Sequence, residues 1–313
     1  MRKSRTIVRL VLLLALLAAA PPPPSIDLPG NRLFPESLST APGGMVYVGS
    51  ISGGVVRVST KRGRARPWLL PGADGTGSIY GVLADAAHDR LWLCANAPRS
   101  PLVIPGARDG SWLVGVGLRS GRSMVTARLP GEKTLCNDIA VGPDGSVYVT
   151  NMAAPQILRL RPGATELELW ATDPRFQPEH GGGLDGIAFG ADGALYVTIF
   201  TKGELYRIAV ENGRAGAVMP LMPSRPLVRP DALRPLGDGR FVMVEGGGRV
   251  DRLAIDGDKA MVETLKDGLA GPTGADVGGG RIWFVEGRLA EMRDPAGPPL
   301  PFTLQSLILE PAQ

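Results

Sequence analysis

Six times along the chain a short β-forming run follows a turn: GMVYVGS, DRLWLCA, GSVYVTN, GALYVTI, GRFVMVE and GRIWFVE. Aligned on their central residue, the runs give a column of Tyr47, Trp92, Tyr148, Tyr196, Val242 and Trp283, with intervals of 45, 56, 48, 46 and 41 residues. Three positions earlier stand Gly44, Asp89, Gly145, Gly193, Gly239 and Gly280. A tight hairpin needs a permissive backbone at such a point. Each unit reads as strand, tight turn, strand, loop, strand, as in residues 138–141, 146–150 and 156–161. A repeat of about 40–50 residues holding several short antiparallel strands is the sequence form of a propeller blade. The expected fold is therefore all-β, a six-bladed β-propeller with four-stranded antiparallel blades over residues 34–313. The run FTLQSLIL at 302–309 is a candidate last strand that closes the ring, which removes two exposed sheet edges.

Composition agrees where it bears on this. With 43 Gly, 29 Pro and 20% charged residues, the chain is rich in turns and is neither collagen, coiled coil nor a polytopic membrane protein. Its net charge of +4 is matched by Arg2, Lys3, Arg5 and Arg9, which no acid accompanies in residues 1–20. Without them acids and bases balance, and no basic stripe remains to suggest nucleic-acid binding. Those four cations precede the apolar run Leu10 to Ala20, too short to span a bilayer as a helix but suited to a secretory signal. Residues 1–20 are expected to be a signal peptide or an uncleaved N-terminal anchor, and 21–33 a Pro-rich spacer. Either way the domain is expected outside the cytoplasm, periplasmic or secreted, touching membrane only through that segment. Cys94 and Cys136 form a disulfide in that setting or remain two buried thiols, the second being the favoured reading.

Eleven positions before the aromatic column lie Glu36, Gly81, Asn137, Asp185, Asp231 and Pro272. Equivalent positions in successive blades form a ring about the axis, at the start of each innermost strand. Four of the six carry a side-chain oxygen. Three carboxylates on one axis repel by about 4 kcal/mol per pair at ~4 Å and an effective dielectric of ~20. A divalent cation held by Glu36, Asn137, Asp185 and Asp231 relieves this. Oxygen-only donors point to Ca²⁺, with Mg²⁺, Mn²⁺ or Zn²⁺ as alternatives. The positions left open on such an ion admit water or a substrate.

The motifs PES at 35–37, CNDIAVGPDGSVYVTN at 136–151, LDGIAFGADGALYVT at 184–198 and RPDALRPLGDGRFVMVE at 229–245 together resemble the SMP-30/gluconolactonase/LRE-like family, kin of the calcium-dependent paraoxonase and diisopropylfluorophosphatase propellers. The resemblance runs from about Phe34 to Glu286. It implies that Glu36 and Asn137 are metal ligands and that Asp231 is both ligand and catalytic base. Asp185 stands where the family usually has Asn, which adds a negative charge. The family's sugar-contacting residues on the second blade have no secure match.

His180, in EHGGGLD five residues before Asp185, is a candidate acid/base or substrate contact. The loop 95–110 is a lid candidate, Arg225 and Arg229 are candidate anion contacts, and Glu245 and Glu286 are candidate supports of the site. No GxSxG elbow is present, so a metal-activated water is preferred to an acyl-enzyme. The function expected is that of an exported metal-dependent hydrolase of lactones or related esters, with a small-molecule substrate at the axial mouth. The alternative is a non-enzymatic, metal-stabilised propeller that binds a small ligand or protein.

Overall fold

The computed structural model describes residues 23–180, 182–294, 297 and 300–309, so the leader read from residues 1–20 lies outside them. Among the described residues the chain is all-β, with only four short 3-10 turns and no helix long and apolar enough to cross a membrane. Antiparallel meanders of four strands run over residues 35–69, 78–128, 136–172, 184–223 and 230–266. The last sheet is built from both ends of the chain: Pro272–Gly278, Arg281–Glu286, Thr303–Ile308 and, outermost, Ser25–Asp27. The closing strand thus lies where expected. The stretch read as spacer contributes the outermost strand of that sheet.

The fold is propeller-like, with one departure from six separate sheets. The strand Arg214–Pro223 runs to ten residues, and its end pairs parallel with the next meander, Met222 with Lys259 and Pro223 with Ala260. The meanders over 184–223 and 230–266 thereby share one eight-stranded sheet.

Successive meanders pack through separate apolar clusters. Tyr47, Ile79 and Leu93 sit between the first and second, Trp92, Ile139 and Val149 between the second and third, and Tyr148, Ile187 and Val197 between the third and fourth. Tyr196, Leu233 and Phe241 follow, then Val242, Ala275 and Phe284. Val48, Trp283 and Leu304 join the last sheet to the first. The whole aromatic column is buried in these seams. All six residues of the turn column have positive φ, from 50° at Asp89 to 83° at Gly239.

Each innermost strand carries a β-bulge near its start, at 36–37, 80–81, 137–138, 185–186, 231–232 and 273. A bulge leaves its extra residue outside the ladder and re-aims its side chain. One residue further along each strand, glycine alternates with a larger residue around the ring: Ser37, Gly81, Asp138, Gly186, Ala232, Gly274. A Cβ at Gly81 would run into the carbonyl of Asn137, one at Gly186 into that of Asp231, and one at Gly274 into the backbone of Ser37. The inner strands approach too closely for six side chains at this level.

Candidate active site at the inner-strand bulges

The first bulge position presents Glu36, Tyr80, Asn137, Asp185, Asp231 and Thr273. Two members of the sequence column are thereby corrected. The extra 3-10 turn at Ala86–His88 lengthens the second hairpin, so Tyr80 rather than Gly81 shares the register of Glu36. In the last meander the bulge is one residue shorter, and Thr273 rather than Pro272 takes the place. Thr273 turns its hydroxyl to the Pro35 carbonyl at 3.0 Å. The ring therefore includes a phenol beside the four oxygen donors.

The four predicted donors are buried, and three of them, Asn137, Asp185 and Asp231, stand in a row with the charge of Glu36 beside them. The Asn137 amide donates to Asp185, whose carboxyl lies beside that of Asp231. Asn137 Oδ1 is buried without a partner. Thr150 donates to the Asp185 carbonyl at 2.7 Å and accepts from the Asp138 amide at 2.9 Å, locking two bulges together. Thr198 does the same between Gly186 and the Asp231 carbonyl.

Burial, then the charges of Asp185 and Asp138, push the Glu36 carboxyl well above the ordinary carboxylate range. Burial and the charge of Asp138 push Asp185 up to about 8. Asp231 is raised by burial and then by Asp185 and Glu36. The Tyr80 phenol is raised by burial and by Glu36. Among the described residues, no three His, Cys, Asp or Glu side chains close around a single point.

One level further along the axis, Arg234 and Asp138 form a bidentate pair at 2.7 and 2.8 Å, with side chains only 3% and 6% exposed. Asp138 also accepts from the Ile187 amide. The pair separates the acid row from the opposite face of the ring, where Leu83, Ala140, Ala188 and Arg234 line a cavity of about 340 Å³. Neither partner was singled out from the sequence. The available signal was a lone arginine in the apolar run PDALRPL.

A mouth cavity of about 320 Å³ opens over the row, lined by Phe200, Arg229, Asp231, Thr273, Arg288 and Leu289 among others. Asp231 is the member of the four donors that reaches it. Arg229 donates to the Gly246 carbonyl and stays exposed. Arg225 does not face the mouth. Its guanidinium binds the fully buried Glu245 at 2.7 Å and Asp251 at 2.8 Å. Glu245 also accepts the Val228 amide, and Glu286 the Ala270 amide, so both acids tie down the loops that enter the next inner strands. His180 lies exposed on its loop with φ 48°, and none of its described hydrogen bonds or ion pairs reaches the acid row. The loop 95–110 rests on the first sheet, where Ile104 is buried beside Gly53, and it brings Arg99 near the Tyr80 phenol and Leu102 onto the cluster that also takes Leu289.

Cys94 and Cys136 form a disulfide, which corrects the expectation of free thiols. The Cys94 strand end and the start of the next inner strand are brought together by Asn96, whose side chain both donates to and accepts from the Cys136 backbone. Cys136 immediately precedes Asn137, so the bond fixes one edge of the acid row.

The fold is that of SMP-30/gluconolactonase/LRE-like proteins. A luciferin-regenerating enzyme is similar with a TM-score of 0.66 and 10% identity, covering 89% of this chain and 92% of that one. A gluconolactonase from Xanthomonas campestris has a TM-score of 0.61 and 16% identity, over 89% of this chain and 88% of its own. A catalytically inactive virginiamycin B lyase from Staphylococcus aureus, solved with quinupristin, has a TM-score of 0.59 and 19% identity, over 90% and 83%. No family model matches the chain, and no curated protein matches it in sequence. Lactonase and lyase on one fold mean that function has to be argued from the site.

Proposed function

We propose that the protein is an exported, metal-dependent hydrolase of lactones or related esters. In this reading it is a six-bladed propeller whose eight-stranded sheet counts as two blades joined at their outer edges. The observation that carries it is the buried row of Glu36, Asp185 and Asp231 beside an unpartnered Asn137 amide oxygen.

In donor chemistry the set suits a hard divalent cation, which would have to draw the three acids in around one point. All four groups offer oxygen, one acceptor lacks any partner, and the acids repel one another with Arg234 already engaged by Asp138. Glu36, Asn137, Asp185 and Asp231 would hold the ion, Ca²⁺ being the best match. When bound, such an ion polarises a carbonyl and steadies the oxyanion that forms on it. Asp231, which reaches the mouth, accepts the proton of the attacking water as its oxygen adds to the carbonyl carbon. Asp185, beside Asp231, would orient it by sharing the ion with it. The neighbouring lactonase supports this choice of chemistry. Nothing in the geometry draws His180 into the reaction, so the proposal rests on Asp231. Export is supported by the basic-then-apolar leader and by the disulfide, a bond typical of oxidising compartments.

The test is hydrolysis of glucono-δ-lactone, followed with a pH indicator, before and after chelation by EDTA. Chelator should abolish turnover and added Ca²⁺ should restore it. If Ca²⁺ raises the unfolding temperature while no lactone or ester is turned over, the metal-stabilised binding propeller is the correct reading.

A further inference from the structure

Three meanders repeat one device on their outer strands. Arg159, opposite Tyr148, faces Glu168 across the next pair of strands and is ion-paired to it at 2.5 Å. Arg252, opposite Val242, faces Glu263 and binds it at 2.6 Å. Arg207, opposite Tyr196, is answered by Asp192 from the hairpin turn at 2.7 Å. Arg57 holds the same place opposite Tyr47 in the first sheet, but the residue facing it across the strands is Arg66. Like charges directly opposite on a sheet repel. Among the described residues no carboxylate pairs with either arginine.

The charge extends well beyond this pair. A cavity of about 840 Å³ beside it is lined by Arg57, Lys61, Arg62, Arg64, Arg66 and Arg119. Its one acidic lining residue, Asp89, stands 3.9 Å from Arg119. Beyond the leader the chain carries equal numbers of acids and bases, so six cations around one groove are a local concentration. Tyr47 and Leu118, both buried, form part of its wall. The groove lies at the hairpin turns 42–44 and 60–63, on the face away from the axial mouth.

We propose that this groove is a second ligand site, which takes a phosphate-rich anion, with Arg57 and Arg66 sharing a phosphate that replaces the missing carboxylate. Guanidinium groups match phosphate oxygens in paired hydrogen bonds, and an anion between two facing arginines turns their repulsion into attraction. Two sources offer such phosphates. One is a soluble polyphosphorylated molecule. The other is a layer of anionic lipid headgroups, because Pro23 reaches the Gly63 turn and so brings the segment after the leader to the groove's edge.

The test uses the full chain, inorganic tripolyphosphate, and vesicles of phosphatidylglycerol or of phosphatidylcholine. Tripolyphosphate at a hundredfold excess over its Kd should raise the unfolding temperature by about 5 °C. Arg66→Glu places an acid where Glu168 and Glu263 stand in their own meanders. It should unfold at a higher temperature than the parent without ligand, lose at least tenfold in tripolyphosphate affinity, and keep the parent's lactone turnover. Arg66→Gln, which removes one charge without adding an acid, should fall between the two. Co-sedimentation with phosphatidylglycerol vesicles alone, without a tripolyphosphate response, assigns the phosphate to lipid. A tripolyphosphate response without co-sedimentation assigns it to a soluble ligand. The proposal is overturned if the parent binds neither probe, if Arg66→Glu binds them as the parent does, or if Arg66→Glu is less stable than the parent.

Discussion

Replacing Arg234 by Met tests whether the inner strands are held by the ion pair at their centre. The guanidinium makes two hydrogen bonds to Asp138, one to the Leu233 carbonyl and a long one to the Val82 carbonyl at 3.5 Å, and both side chains are almost wholly out of water. Methionine keeps most of the stem's packing but leaves the Asp138 carboxylate with little beyond the Ile187 amide. Removing one partner of such a pair costs about 3–5 kcal/mol. At roughly 2–4 °C per kcal/mol for a chain of this class, the unfolding temperature should drop by about 6–20 °C. Asp138→Asn in the same molecule removes the stranded charge while keeping an acceptor for Ile187. The double variant should therefore recover most of the loss. Urea titrations of the parent, both single variants and the double variant give the coupling energy directly. A loss below about 1 kcal/mol in Arg234→Met, or a double variant that loses the sum of the two singles, would refute the reasoning.

Other outcomes follow from the site and its surroundings. At saturating Ca²⁺, Asp231→Asn should lower lactone turnover by about 10²–10⁴ while the fold survives, whereas Asp185→Asn should retain metal and activity; steady-state rates on one lactone decide this. Replacing Cys94 and Cys136 together by Ala should cost about 3–4 kcal/mol, the chain-entropy value for a loop closed over 42 residues, read from urea unfolding in the absence of reductant. Burial and Glu245 raise the Asp251 carboxyl to about 7, so its contribution to stability is complete below the unfolded value near 4 and is lost as pH climbs through about 7. Asp251→Asn should flatten that part of the stability–pH profile, measured by urea midpoints from pH 4 to 8. An unchanged slope would show that other groups set it.

Much of this architecture was legible because repetition averages out local ambiguity. One short run such as GALYVTI says little, but six of them with a permissive residue at one offset fix hairpins, seams and an inner ring together. The same averaging caused the errors. A fixed offset of eleven assumes that every hairpin has the same length, and the 3-10 turn before Asp89 broke that assumption, hiding Tyr80. Glu36, Asn137, Asp185 and Asp231 survived because their four hairpins are alike. The Arg234–Asp138 pair could not be read at all, since its partners stand on different inner strands, 96 residues apart, and meet only because the ring closes. The same holds for the disulfide, whose geometry depends on how two meanders pack. Arg225 looked like a free cation beside Asp231, but nothing local announces that Glu245 and Asp251 would claim it.

The last sheet has a consequence for how the chain reaches its native form. Its outer strand, Ser25–Asp27, comes from the beginning of the chain, and its neighbour, Thr303–Ile308, from the end. Ser306 contacts the Pro24 carbonyl across a separation of 282 residues. A polypeptide emerging from a ribosome or a translocation pore can assemble its first meanders early, but this sheet has to wait for residues 303–308. Until then one apolar flank, including Val48 and Phe34, lacks the partners Trp283, Phe302 and Leu304. Loop closure over such a distance is slow relative to local pairing. The interval between synthesis of the fifth meander and arrival of the last strand is therefore when a nascent chain is most open to proteolysis and to pairing with another copy.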